Sequence, residues 1–588
     1  MNNAILLDQN ANLIDLAKRA MFTRCGSYMG ISAAMSGSAY AGQSYQAGTL
    51  YLGTRRGTPN GVLNRSNEML YFTPMYRGSK VKCAVETTPT ELTVKTDCGC
   101  IKMCFAEDSM LYIRGEGGLS LLLESRMLPG DAAKKRSGQA WECMFPGRCS
   151  LLLNPLLGAL SVDAPWDGMT QSTPKVTGML DPDENGAFLL AIEESVYAGK
   201  VRAEYPDYEA ALADVTADWD GFFSKIPEFD EDLEYGRVKA AWTLWSLLVN
   251  ASGIIKRPHM FMASNNVASS WQMGHNAAAL RDNMPLATDL MLNMLDTQNE
   301  YGQLPDFVDD GKLQGQTLHP PTQGWTLKWI MKTHDLKKEI SAENLEWIYT
   351  GYAKWADWFM LARDEDGDGI PAYDNGDECG FDDSSAFVDY DEVESPDLIA
   401  YLAQLYDALG DLAEMLDKPE EAAAWHKRGD EAIETMIQTF WDGEHFFART
   451  ARTHEKIISD SILYYLPLVL GSKLPKDIAD KLVSDLMVEG RYLTPYGLAT
   501  EVPTTDHFRV SGFSRGWVLS ANNMLILTGM HDAGYVEEAK MIAKRYCAAC
   551  AKWDSPILLN PVHGARGGFI CSWPACAYIA LADMIHNM

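Results

Sequence analysis

Hydrophobic positions change their rhythm once along this chain. Up to about residue 205 they fall in short runs: Thr49-Leu50-Tyr51-Leu52, Met69-Leu70-Tyr71-Phe72, Glu91-Leu92-Thr93-Val94-Lys95, Met110-Leu111-Tyr112-Ile113-Arg114 and Ser150-Leu151-Leu152-Leu153. Gly, Pro, Asn and Asp turns separate them, a pattern that predicts an antiparallel β-sandwich over residues 1–205. A linking helix is expected within 206–230, from Glu209 to about Ile226. From residue 231 apolar residues recur at helical spacing, in 236–252, 276–296, 323–334, 342–363, 396–416, 419–440, 461–470, 475–488, 515–529, 535–550 and 572–586. That makes a helical domain over 231–588, with eleven expected helices and no convincing strand. The connections at 300–321, 364–394, 490–513 and 552–571 are long and polar. Long loops inside a compact domain are usually functional or disordered. These carry Trp, Asp, Arg and His, so a site is expected where alternate loops meet.

Charge narrows the choice of partner. The chain has 588 residues and a net charge of −30, with pI ≈ 4.7. Phosphate backbones and anionic lipid surfaces repel such a protein, which argues against nucleic acid and membrane partners. The first residues, Met1 to Asp8, lack a basic segment and hold an apolar run too short for an export signal. No apolar stretch approaches the roughly 18–20 residues of a membrane span. Twelve cysteines are too sparse for a disulfide scaffold, so reduced thiols and a cytoplasmic location are expected. Cys98, Cys100 and Cys104, and the pair Cys547 and Cys550, lack the second pair that a structural zinc site usually has. They read as packing or surface residues.

The densest chemistry lies between residues 364 and 385. Asp364, Asp366 and Asp368 alternate with Glu365, Gly367 and Gly369, as in calcium loops. An EF-hand needs an acidic residue at loop position 12, and that position is Asn375, so this is no EF-hand. Two readings stand, a structural Ca2+ site on the three aspartates or a solvated turn. No organic cofactor is expected.

The following segment, Glu378-x-Gly380-Phe381-Asp382-x-Ser384, resembles the E-x-G-W-D-x-S segment of glycoside hydrolase family 63 and its trehalase relatives. Other segments echo that family in the same order. Ser270-Trp271-Gln272-Met273-Gly274 resembles its W-x-W-D segment, Gly302-Gln303-Leu304-Pro305-Asp306 its G-x-I-P, and His319-Pro320-Pro321-Thr322-Gln323-Gly324-Trp325 its Q-P-P-x-x-x-W. Tyr496-Gly497-Leu498 and Ser514-Arg515-Gly516-Trp517 through Asn523 resemble its Y-G-L and W-R-G segments. The resemblance covers about residues 240–585 and implies an (α/α)6 barrel of twelve helices after the β-sandwich.

The resemblance also implies roles. The family's general acid carries over to Asp382, whose bland alternative is a loop or helix cap. Glu378 and Asp383 beside it, together with burial, would raise its pKa toward neutrality. An inverting glycosidase also needs a carboxylate that activates water. The family places it three residues before an Asn-Pro pair, and here that position is Ile557, before Asn560-Pro561. Asp554 is the expected substitute, with Glu501, Asp506 and His563 as rivals. Sugar contacts are expected from Trp271, Gln272, Asp306, Gln323, Trp325, Glu378, Tyr496, Arg515, Trp517 and His563. Gly274, His319 and Ser514 depart from the family at presumed sugar contacts and argue for a specificity of its own. The resulting expectation is an inverting hydrolase of a small α-linked glucoside or mannoside. The alternatives are a phosphorylase, in which phosphate attacks and no protein base is required, although no basic cluster is seen beyond Arg515, His563 and Arg566, and a sugar-binding barrel without turnover.

Overall fold

The computed structural model describes residues 14, 16, 20–33, 39–40, 43–44, 49–57, 68–125, 127–263 and 268–588. The stretch Met1 to Asp8 lies outside them. Two compact units emerge from the packing: Met1–Ser224 with Leu244–Gly253 and Phe261–Val267, and Lys225–Thr243 with Ile254–Met260 and Ala268–Met588.

The first unit is built on two antiparallel sheets. One takes Met29–Ala33, Leu50–Thr54, Glu68–Tyr76, Ser120–Ser125, Val176–Asp181 and Ala159–Asp163 in spatial order, with Ser79–Lys80 beside Glu68–Tyr76. The other takes Ala132–Lys135, Trp141–Phe145, Cys149–Leu157, Phe188–Ser195, Met110–Gly115, Cys100–Glu107, Leu92–Lys95 and Ala84–Thr87. Successive side chains of a strand point to opposite faces. Met110, Tyr112, Cys104 and Ala191 therefore share one face, against which the helix Tyr208–Phe223 packs Tyr208 and Ala211. Tyr208 stacks on Tyr112 with ring centroids 6.5 Å apart. Leu111, Ile113, Phe105 and Ile192 are buried on the opposite face. Asp207 caps the helix by accepting from the Ala210 N–H at 2.8 Å.

The second unit is a ring of helices in two shells. The inner shell consists of Ser270–Ala279, Gln323–Met331, Pro396–Met415, the 3-10 segment Ile462–Lys473, Ser520–Asp532 and Ser572–Asn587. Each packs on the next, and the last packs on the first. Between them in sequence come the outer helices Met284–Leu295, Ala342–Ala362, Pro419–Phe440, Lys476–Leu486 and Val536–Lys552. A sixth, Glu231–Leu247, lays its first part on the last inner helix, where Gly236 meets the Tyr578 ring. The Tyr578 hydroxyl donates to the Leu233 carbonyl at 2.6 Å.

This is the expected (α/α)6 barrel, and its twelfth helix lies where one was expected. The segment read as a single helix over 276–296 takes in the end of one helix, Ser270–Ala279, and all of a second, Met284–Leu295, parted by a turn at 280–283. Pro285 at the start of the second favours a new helix there. Short strand pairs also occur in the helical unit, such as Val518–Leu519 with Pro556–Leu559, where no strand was expected. No helix among the described residues is long and apolar enough to cross a membrane. Cys547 and Cys550 are buried against Tyr578, Tyr546 and Pro574. No cysteine belongs to a metal-capable group among the described residues.

Polar contacts seal the ring. Trp573 Nε1 donates to His275 Nδ1 at 2.9 Å, and the Cys576 thiol to Asn276 Oδ1 at 2.9 Å. Arg281 pairs with Asp583, both side chains 5% exposed, and donates to the Trp329 carbonyl at 3.0 Å. One guanidinium, on the turn that follows the first inner helix, thus reaches two others. Removing one partner of a buried ion pair leaves a stranded charge and costs about 3–5 kcal/mol. Arg281→Met is accordingly expected to lower the urea midpoint sharply. The double change Arg281→Met with Asp583→Leu should recover most of the loss, and equal midpoints for the single and double variants would refute the pairing.

Candidate active site

The inner helices alternate with outer ones along the chain, so all six run the same way and start at one end of the ring. Each start has Ser or Thr at or beside its first residue, namely Ser270, Thr322, Ser395, Ser461, Ser520 and Ser572, all buried. Helix N-termini carry partial positive charge, so this end favours carboxylates. The long polar loops enter here, because each runs from the end of an outer helix to the start of an inner one.

The loop from Arg363 to Ser395 is built from the outside inward. Arg363 holds Asp374 and, at 2.6 Å, Glu378. Glu378 accepts from the Asp374 N–H at 2.8 Å, which closes the turn between them. Glu378 is 1% exposed, and burial pushes its pKa up to about 7. Gly380 follows at φ +77° against the Trp271 ring, where an added Cβ would sit 2.3 Å from Cη2. Both the left-handed backbone and the close approach require glycine. Phe381 is then fully buried, while Asp382 turns out to solvent.

Three residues after Asp382 pin the loop to its neighbours. The Asp383 carboxylate accepts from the Phe513 N–H at 3.1 Å and the Ser514 N–H at 2.5 Å, and its carbonyl accepts from Arg515 Nε. Ser384 Oγ lies 2.8 Å from Ser461 Oγ. Ser385 Oγ lies 2.6 Å from Ser459 Oγ and donates to Glu501 Oε2 at 2.5 Å. Asp382 is therefore an accessible carboxyl on a loop fixed at both sides. Although it meets solvent, the surrounding protein strips enough water to push its pKa up to about 6, and Asp377 adds like-charge repulsion. His319 opposes the rise. His319 is itself paired with the buried Asp306, which also accepts from Thr317.

The other expected residues separate into two groups. Trp271 is 1% exposed and wedged edge-on against Trp573 at 4.4 Å. Trp325 is 4% exposed, stacks on Trp329 and donates to Thr528. Both rings are enclosed by protein. Their bulk fills the space between inner helices. Gln272 and Gln323 are likewise internal, bonded to Ser269 and to Trp355. Asp306 and Glu378 are also buried and hold neighbouring loops. At the loop surface stand Tyr496, Arg515 and Trp517, half-buried, and His563, exposed. Gly564 packs on the Tyr496 ring, and Trp517 donates to the Val510 carbonyl at 2.8 Å.

Asp554 does not stand free to act as a base. Lys239, on the outer helix Glu231–Leu247, pairs with its carboxylate, and both are largely buried. Ile557 is 7% exposed within the strand Pro556–Leu559. Glu501 is fully buried, and burial pushes its pKa up to about 7. Asp506 and His563 are exposed. Sequence reasoning missed Asp377, an exposed carboxylate felt by Asp382, and the clamping roles of Asp383 and Arg363. It also missed Lys239, which is 315 residues from its partner.

Asp364 Oδ2 accepts from the Gly369 N–H at 3.1 Å, closing its own turn. Asp366 and Asp368 instead gather with Glu394 and His454.

Comparison with known proteins agrees with this architecture. The bacterial glucoamylase complexed with acarbose shares 11% identity over 97% of this chain and 94% of its own, with a TM-score of 0.62. The family 63 mannosylglycerate hydrolase from Thermus thermophilus in complex with glucose shares 19% identity over 58% of this chain and 98% of its own, with a TM-score of 0.50. The same enzyme with Tris and D-glycerate gives 18% identity over 59% and 99%, and a TM-score of 0.51. No curated protein matches the chain significantly by sequence. The model of the mannosylglycerate hydrolase MGH1-like glycoside hydrolase domain matches residues 265–566, just over half of the chain. With two β-sheets ahead of a six-hairpin barrel and that match across the barrel loops, the chain belongs to the MGH1-like glycoside hydrolase family.

Proposed function

We propose that the protein cleaves a small α-linked glucoside or mannoside with inversion, and that Asp382 protonates the leaving oxygen. The observation that carries this reading is an accessible carboxyl, held on a clamped loop, whose pKa is pushed up to about 6. A general acid is most effective when its pKa lies near the working pH. The sugar class rests on relatives whose names are mannosylglycerate hydrolase and glucoamylase.

The second half of the reaction needs an acceptor for the proton of the attacking water. Ile557 offers none, and Lys239 neutralises Asp554. Glu501 keeps its proton up to about pH 7, beyond the point where Asp382 begins to lose its own, so the two would be out of step as base and acid. His563 and Asp506 are the accessible acceptors on neighbouring loops. The same facts favour a second reading, attack by inorganic phosphate, which needs no protein base.

The test is product formation from a panel of α-linked glucosides and mannosides, with and without phosphate. Free sugar released without phosphate, with inverted anomeric configuration, supports hydrolysis. Sugar phosphate formed only with phosphate sinks it in favour of phosphorolysis. Asp382→Asn is expected to lower kcat about 10²–10⁴-fold, with an unchanged circular-dichroism spectrum; wild-type activity in this variant would remove Asp382 from the reaction. The acid acts only when protonated, so kcat should fall about tenfold per pH unit above about 6. A flat profile from pH 5 to 8 would contradict that assignment.

A further inference from the structure

Away from Asp382, four side chains from three segments turn toward one point. Asp366 and Asp368 come from the turn after the helix Ala342–Ala362, and Glu394 from the strand Val393–Glu394. His454 comes from the turn between Ala448–Thr450 and Lys456–Ile457. One donor atom of each lies within 4.8 Å of the other three. His454 Nε2 stands 3.0 Å from Asp366 Oδ2 and 3.5 Å from Asp368 Oδ2.

Glu394 supplies an independent sign. Its side chain is 1% exposed, and Arg449 holds its Oε2. Its Oε1 is buried and accepts no hydrogen bond, and His454 Nε2 lies 3.9 Å away. A buried carboxylate oxygen left without a donor is costly unless something else compensates it. Charge leads to the same place. Three carboxylates meet one guanidinium, since Arg449 pairs with Asp368 and Glu394 while the Arg452 side chain is directed to Glu365 and Glu392. One guanidinium thus stands against three carboxylates.

We propose that Asp366, Asp368, Glu394 and His454 form a binding site for one divalent transition-metal ion of the zinc or manganese class. An imidazole among the ligands selects this class over calcium, which takes oxygen ligands alone. Arg449 stays on Glu394 Oε2, and Oε1 faces the ion. The ion ties the 364–370 turn to the 448–457 hairpin. It also fixes Glu394, one residue before Ser395 at the head of an inner helix.

The test is thermal unfolding of the full chain, stripped with EDTA and then given ZnCl2, MnCl2 or CaCl2. Zinc or manganese should raise Tm by several degrees, because an ion bound only by the folded state stabilises it. The rise should vanish in Glu394→Gln and in His454→Gln. Cobalt(II) should give a visible absorption band that His454→Gln abolishes, which keeps the test decisive if Glu394→Gln does not fold. A rise with calcium alone that survives His454→Gln would overturn the site in favour of a carboxylate loop. No rise with any ion, and no cobalt band, would overturn it outright.

Discussion

The contact between the first and last inner helices governs what the loops above them can do. A ring of parallel helices has no free edge only if it closes, and here Arg281, Asp583, His275, Trp573, Asn276 and Cys576 close it in the buried interior. Apolar packing alone would let two helices slide along each other, whereas directional polar contacts fix their relative height. The six helix starts lie at one end of the ring. A loop that spans from an outer helix to an inner one then has both its ends fixed before its own residues add anything.

The loop carrying Asp382 shows how that frame is used. Buried neighbours hold it on one side through Glu378, Gly380 and Phe381, and adjacent loops hold it on the other through Asp383, Ser384 and Ser385. Only the carboxyl between these anchors is left to solvent. The arrangement has a thermodynamic cost. Glu378, Asp382 and Glu501 all have raised pKa values, so the folded chain keeps protons that the unfolded chain releases from about pH 4 upward. Their contribution to stability is whole below that point and is withdrawn as pH climbs toward 7. A site poised for proton transfer near neutrality is, for the same reason, a local weakness there.

Much of this was legible from residue order. The outer helix Lys476–Leu486 has one clearly apolar side and was read at 475–488 almost as it stands. The inner helices were harder for a physical reason. Ser270–Ala279 is buried on every side, so no polar stripe marks where it begins or where the next helix takes over. Ile462–Lys473 reads as an α-helix, but Pro467 and Gly471 leave it as 3-10 turns. Motifs located the loop around Asp382 but not the direction of its neighbours. A tryptophan beside a polar loop looks the same in sequence whether its ring faces a ligand or, like Trp271, a glycine and a second tryptophan. The Lys239–Asp554 and Arg449–Glu394 contacts depend on folding that brings distant segments together, and no local pattern announces them.

The two-shell ring also separates what must stay fixed from what can be revised. Lengthening a loop between anchored ends costs little, about 0.6 kcal/mol for each doubling in length. Insertions at the mouth can therefore accumulate without loosening the helices beneath. Ile557 sits at a register shift within a three-strand patch that still forms on both sides of it, although it cannot accept a proton. The scaffold here does not depend on the chemistry it carries, and so a lineage built on it can lose or exchange a reacting group and still inherit a folded protein.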